Sequence, residues 1–222
     1  VLIRKFQPAD RERIREICQA TALRGKNVKM FFEDGEIVSR LFADYYLDYE
    51  PDSCFVADVD GRVLGYALAC KDTKKFMRVA ASRIVPRVIG RILWKIVTAQ
   101  YRSKQTYKTL WWVLTRSWRE IPSASIDDYP AHIHVSVDPE LAEMKLAVMK
   151  LGMRLGQTVI EHLRQAGVRG IHGSIAEEEG DDNLSRFYCH FYGARITEIK
   201  RFSLWETLTA KRWYAKLMLI EL

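Results

Sequence analysis

Residues 170–194, GIHGSIAEEEGDDNLSRFYCHFYGA, set a strand, an acidic turn and a short helix in immediate succession. The alternation of Ile171, Gly173 and Ile175 predicts a buried strand. Asp182 or Asn183 can cap a helix start, and Gly193 can end that helix in the left-handed conformation. Tyr188 then sits on the helix and faces whatever the end of the strand holds. A phenol so placed can act as a general acid; the competing role is that of a packed core aromatic.

Working outward, the chain predicts a strand over 194–202, a connection, and a last strand from Trp213 to Leu222. Upstream, Leu141, Met144, Val148, Leu151, Leu155, Val159 and Leu163 form a helical stripe ending at Gly167, which fits one long helix or a loop and a shorter one. YPAHIHVSVDP, from Tyr129, reads as a strand with His132, His134 and Ser136 on one face and Ile133, Val135 and Val137 on the other. CFVADVDGRVLGYALACK, from Cys54, is a hairpin turned by Asp60-Gly61. Pro8 to Asp10 open a first helix carrying Ile14, Ile17, Cys18 and Ala22, and a second covers Gly35 to Tyr49. This mixed order, with hairpins in the sheet, predicts an α/β fold of α+β type.

The 222 residues are expected to form a single domain over 1–222, and a chain nearly half apolar with interspersed charges is globular rather than disordered. Cys18, Cys54, Cys70 and Cys189 lie far apart with no C-x-x-C pair, so neither a metal site nor a disulfide framework is predicted and a cytoplasmic setting is expected. Val1 to Phe6 read as a strand rather than a signal peptide. No uncharged apolar run approaches the roughly 18 to 20 residues that span a bilayer.

The net charge of +7 is unevenly placed. From Lys71 to Arg119 there are 13 basic residues against one acid, Asp72, while the remainder holds 22 basic and 27 acidic residues. In this segment Arg83, Arg87, Arg91 and Lys95 recur at four-residue spacing, and four of the six tryptophans fall here, Trp94, Trp111, Trp112 and Trp118. Such a basic aromatic helical segment, at about 72–125, suits peripheral membrane contact, a lid over a bulky acceptor, a homodimer surface, or simply a helical hairpin packed on the sheet. Nucleic acid is not expected, because no recognition motif accompanies the charge.

The element order, together with IRKFQPADRERI, FVADVDGRVLGYAL, HIHVSVDPE and DDNLSRFYCHFYGA, resembles the GNAT acetyltransferase superfamily over most of the chain. The helical insertion ahead of YPAHIHV, between the third and fourth strands, is similar to that of the group related to the O-GlcNAcase-associated acetyltransferase-like domain. The resemblance implies a GNAT-like acyl-CoA N-acyltransferase fold, acetyl-CoA as donor without a metal, and a small-molecule or peptide amine acceptor attacking the thioester in a ternary complex. It makes Tyr188 the acid that protonates the departing thiolate and puts a backbone donor near Val137, with Val135 and Ser136 beside the pantetheine arm. His134 and His132 are the candidate bases, with Glu177 and Glu178 as competitors. A catalytically inactive ligand-binding or membrane-surface module of the same fold is the alternative.

Two departures bear on the donor. The family's R-x-x-G-x-G/A pyrophosphate loop is absent; aligned backward from GQTVIEHLRQAG, Arg154, Leu155, Gly156 and Gln157 would meet the phosphates, with Leu151 where a basic residue or glutamine is usual. Asp138-Pro139-Glu140 is itself a helix start, so either 141–150 forms an extra turn and the 154–157 amides reach phosphate, or one helix runs from Pro139 to Ala166 and the pocket is lost. The first is expected. Asp181 also stands where the family has Asn, with Asn183 as its substitute at the donor site.

Overall fold

The computed structural model describes residues 1–22, 25–141 and 145–222. Strand β1 (Leu2–Lys5) leads to α1 (Arg11–Thr21), then α2 (Gly35–Ser39) runs through a π-helical turn, Arg40–Asp44, into α3 (Tyr45–Tyr49). The hairpin β2 (Cys54–Val59) and β3 (Arg62–Cys70) turns on Asp60 and Gly61 at φ 52° and 82°, the two positive values that a two-residue loop between twisted strands requires. Next come α4 (Thr73–Val79), α5 (Val85–Val97), α6 (Lys104–Thr115) and α7 (Ser117–Glu120) before β4 (Ala131–Val137). A short helical turn, Pro139–Leu141, precedes α8 (Lys145–Gln165), β5 (Gly170–Glu178) and α9 (Asn183–Tyr192). The chain ends with β6 (Arg195–Arg201), α10 (Ser203–Thr209) and β7 (Trp213–Glu221).

The strands form one sheet in the order β1-β2-β3-β4-β5-β7-β6, antiparallel except where β4 meets β5. Strand alternation gives each face its own core. On one face Leu151, Leu155, Val159 and Leu163 of α8 pack on Phe55, Ala67, Ala69 and Ile171, joined by Ile133, Val135 and Val137 of β4 and by Tyr188 and Tyr192 of α9. On the other face Ile14, Ile17 and Cys18 of α1 and Tyr45 to Leu47 of α3 cover Val56, Tyr66 and Leu68.

Two sequence expectations change. The connection after β6 contains α10, a seven-residue helix too short to be read from periodicity; it forms because Leu204 and Trp205 pack with Trp112 and Trp213. The extra turn expected over 141–150 is replaced by helix from Lys145 onward, while Ala142 to Met144 lie outside the described residues.

Candidate active site

The parallel strands β4 and β5 share only two register positions, Ala131 with Ile171 and His132 with His172. Beyond them each strand stays paired on its far side: β4 with β3 as far as Val137, and β5 with β7 as far as Glu178. Their facing edges therefore separate and leave the N–H and C=O groups of alternate residues, Ile133, Val135 and Val137, without a ladder partner. Such groups bind polar, extended ligands. Val135 and Val137 present their backbone to this open edge, whereas Ser136, between them, is opposite Tyr66 and in phase with Asp138, whose N–H bonds to Leu64 of β3.

Tyr188 packs on the α8 face, against the core cluster that also takes in Ile133, Val135 and Val137 of β4 and Ile175 of β5. It is part-buried against Tyr192 and Phe187, with ring centroids 5.5 and 5.6 Å away, and its hydroxyl makes no hydrogen bond among the described residues. Burial pushes the phenol above its ordinary value of 10, so it carries its proton at every physiological pH. Helix α9 is fixed at both ends. Gly193 closes it at φ 65°. At its start, Glu177 of β5 accepts the N–H groups of Leu184 and Ser185 at 2.8 and 2.9 Å, satisfying donors that a helix start leaves open.

Glu177 is thereby removed from the list of bases. It is fully buried, with Lys216 Nζ at 2.9 Å; burial alone would raise its pKa, but the bonds from Lys216 and Ser185 outweigh it and hold the carboxyl below its ordinary value. Glu178 is paired with Lys211 at 2.6 Å. Asn183 turns its amide to Asp181 Oδ1 at 2.8 Å, so these two residues organise the turn before α9. No signal in the local sequence announced the cap on α9, because its partner Lys216 lies on β7.

The histidines occupy the opposite face of β4. His134 Nδ1 stands 3.1 Å from the Phe42 carbonyl and its ring 5.4 Å from that of Tyr66. Burial lowers its pKa below 6.5, with the bond to Phe42 opposing. His132 Nδ1 lies 2.8 Å from Thr73 Oγ1, its ring edge-on to Phe76 at 4.8 Å and 5.5 Å from His172. Burial, then the neighbouring imidazoles, bring it down to about 3. Both rings are neutral near pH 7, but only His134 lies beyond the point where the strands part.

His132 also links stability to pH. Its folded pKa is far below the 6.5 of a free imidazole, so the unfolded chain binds a proton first and stability falls as pH drops from about 6.5 toward 3. At about 1.4 kcal/mol per unit the loss amounts to a few kcal/mol. Melting curves between pH 7 and 4 check this: His132→Gln flattens the decline, and an unchanged slope would show that His132 stays neutral in neither state more than the other.

Arg154, Leu155, Gly156 and Gln157 sit in the middle of α8, where their amides belong to the helix ladder and are not presented to an anion. This corrects the sequence alignment. Leu155 is fully buried, Arg154 reaches the Val1 carbonyl at 3.4 Å, and Gly156 serves close packing: a Cβ there would lie 2.3 Å from the Tyr192 hydroxyl, which itself donates to the Met153 carbonyl at 3.3 Å. The acidic start at Asp138 is neutralised, Asp138 by Arg13 and Glu140 by Arg62.

No family model matches the sequence. The crystal structure of SsHAT superposes on 99% of this chain and 97% of its own, with 22% identity and a TM-score of 0.69. The ribosomal-protein-alanine N-acetyltransferase of Brucella melitensis matches over the whole of both chains at 14% identity and a TM-score of 0.54. The putative acetyltransferase yncA of Salmonella typhimurium, solved with acetyl-CoA, matches over 99% of this chain and 92% of its own at 16% identity and 0.53. The fold is that of the GNAT acetyltransferases. The split sheet and the tyrosine-bearing helix therefore belong to a fold that also builds acetyl-transfer enzymes, and function has to be argued from the residues at the split.

Proposed function

We propose that this protein is an acetyl-CoA-dependent N-acetyltransferase in which the acceptor amine attacks the thioester directly and Tyr188 protonates the departing sulfur. The observation that carries the reading is the split between β4 and β5, with the unbonded, proton-bearing Tyr188 packed on the core cluster that takes in Val135 and Val137. Acetyl-CoA fits the open edge: its pantetheine arm carries amides that would pair with the backbone of Val135 and Val137, passing Ser136 between them, and it would supply the activated acetyl group. A backbone N–H near Val137 would stabilise charge on the acetyl oxygen. The pyrophosphate would meet the start of α8 rather than its interior.

His134 is the favoured base. It is neutral, and its position past the fork lets its free Nε2 serve an amine arriving from the face opposite Tyr188. His132 is still inside the ladder and too weakly basic. The helices between β3 and β4 favour, within this reading, the group related to the O-GlcNAcase-associated acetyltransferase-like domain. An amine acceptor, small or peptidic, follows from the same chemistry.

The loss of a phosphate loop at residues 154–157 favours a second reading, a binding module without catalysis. Thermal unfolding with acetyl-CoA separates the two. Donor at one hundred times its Kd stabilises the folded state by about 2.7 kcal/mol, equivalent to a rise in Tm of roughly 5 to 10 °C for a chain of this size. A Tm unmoved by millimolar acetyl-CoA would favour the module.

A further inference from the structure

Helices α5 and α6 are amphipathic in an inverted sense. The side of α5 that packs inward carries Val88 and Ile92 but also two cations, Arg91 and Lys95, whose charges end on the buried Asp34 at 2.8 and 2.7 Å. Its outward side presents Ile89, Leu93, Trp94 and Val97, each at least half exposed. On α6 the inward residues are Thr106, Thr109 and Trp112, and Thr109 donates to the Phe31 carbonyl at 2.7 Å. Outward, at helical spacing, stand Tyr107, Trp111 and Leu114, continued by Trp118 on α7. Trp94, Trp111 and Trp118 are 65%, 66% and 67% exposed and Leu114 is 75% exposed. Apolar surface in this amount marks a face that meets something other than water.

Charge selects the occupant. Arg87, Arg102, Lys104, Lys108, Arg116 and Arg119 flank these residues, and their side chains form no ion pair among the described residues, Arg102 meeting Glu33 through its backbone N–H alone. A groove of about 380 Å³ beside Trp111 is bordered by Lys108 and Arg116. A second copy docking through the same face would set this basic surface against itself, with Asp72 the sole acid between Lys71 and Arg119. An anionic bilayer instead neutralises it and accepts tryptophan at the headgroup level. No helix among the described residues is long and apolar enough to cross a membrane, which suits a contact made in the plane of the surface.

We infer that the α5–α6 face docks on an anionic lipid bilayer surface, with Trp94, Trp111 and Trp118 at the boundary between headgroups and acyl chains and the surrounding Lys and Arg on the lipid charges. The docking is independent of acetyl transfer. It is tested by co-sedimenting the full chain with phosphatidylcholine vesicles with and without phosphatidylserine, at low and high salt, while following tryptophan emission. The expected result is pelleting with phosphatidylserine at low salt, a blue shift of the emission, and release by salt.

Lys104→Glu with Lys108→Glu lowers the partition by roughly tenfold or more. Trp111→Ala with Trp118→Ala lowers it comparably, and both variants keep the wild-type Tm because the side chains removed are exposed. No pelleting at low salt, or equal binding to vesicles lacking phosphatidylserine, overturns the inference. So does a solution dimer that Trp111→Ala with Trp118→Ala dissociates, which would assign the face to a second copy of the chain.

Discussion

Tyr188→Phe lowers kcat by roughly 10²- to 10⁴-fold, the usual span for a positioned proton donor, while Tm and the affinity for acetyl-CoA stay close to wild type. The separation follows from the geometry. The hydroxyl bonds to nothing among the described residues, and the ring that packs against Tyr192 and Phe187 is kept in the variant. The pH profile adds a readout that packing alone does not supply. Because burial lifts the phenol above 10, the donor form persists into alkaline solution, and the wild-type plateau extends past the ordinary phenol value. On the acid side the base must be deprotonated, and the lowered pKa of His134 puts that limb below 6.5. Thiol release measured with any acceptor amine that supports turnover decides the matter. Undiminished release by Tyr188→Phe across the pH range would return Tyr188 to the role of a packed aromatic.

The elements that local chemistry specifies are the ones the sequence made legible. Asp60-Gly61 dictates its own turn, Gly193 its own left-handed helix end, and the alternation from His132 to Val137 assigns each side chain to a face of the sheet. What escaped depends on partners far along the chain. The stripe from Leu141 to Leu163 is equally compatible with several helix starts, so periodicity could not reveal that Arg154 to Gln157 lie within α8 with their amides committed. Gly156 looked like part of a phosphate loop, yet the approach of Tyr192 from α9 explains it. The two acids at 177 and 178 looked alike, but one faces the interior and the other Lys211 at the surface. The fork between β4 and β5 is likewise a relation between strands, invisible in either alone.

That buried acid predicts the largest stability effect. Glu177→Ala destabilises the protein by about 3 to 5 kcal/mol, as expected when one partner of a buried pair is removed. Three losses combine: the cap on the Leu184 and Ser185 amides, the contact with Lys216, and the volume of a fully buried side chain. Asp182, 2.6 Å from Lys216 Nζ, still holds the ammonium and places the cost toward the lower end. Glu177→Gln keeps an oxygen for the two amides but loses the charge, so it costs less, about 1 to 3 kcal/mol.

Because the folded carboxyl titrates below its ordinary value of 4.5, its stabilisation is complete above that pH and is lost as pH falls through the lowered value. The acid dependence of unfolding is accordingly weaker in Glu177→Gln than in wild type. Urea unfolding at pH 7 and pH 4 measures both effects, and an alanine variant within about 0.5 kcal/mol of wild type would refute the capping role. Under the proposed mechanism the same substitution reaches the chemistry through α9: with its first turn uncapped, the helix that carries Tyr188 frays from its start. Turnover by Glu177→Gln should therefore fall less than by Glu177→Ala, in the order of their stabilities, whereas Tyr188→Phe lowers turnover with stability unchanged.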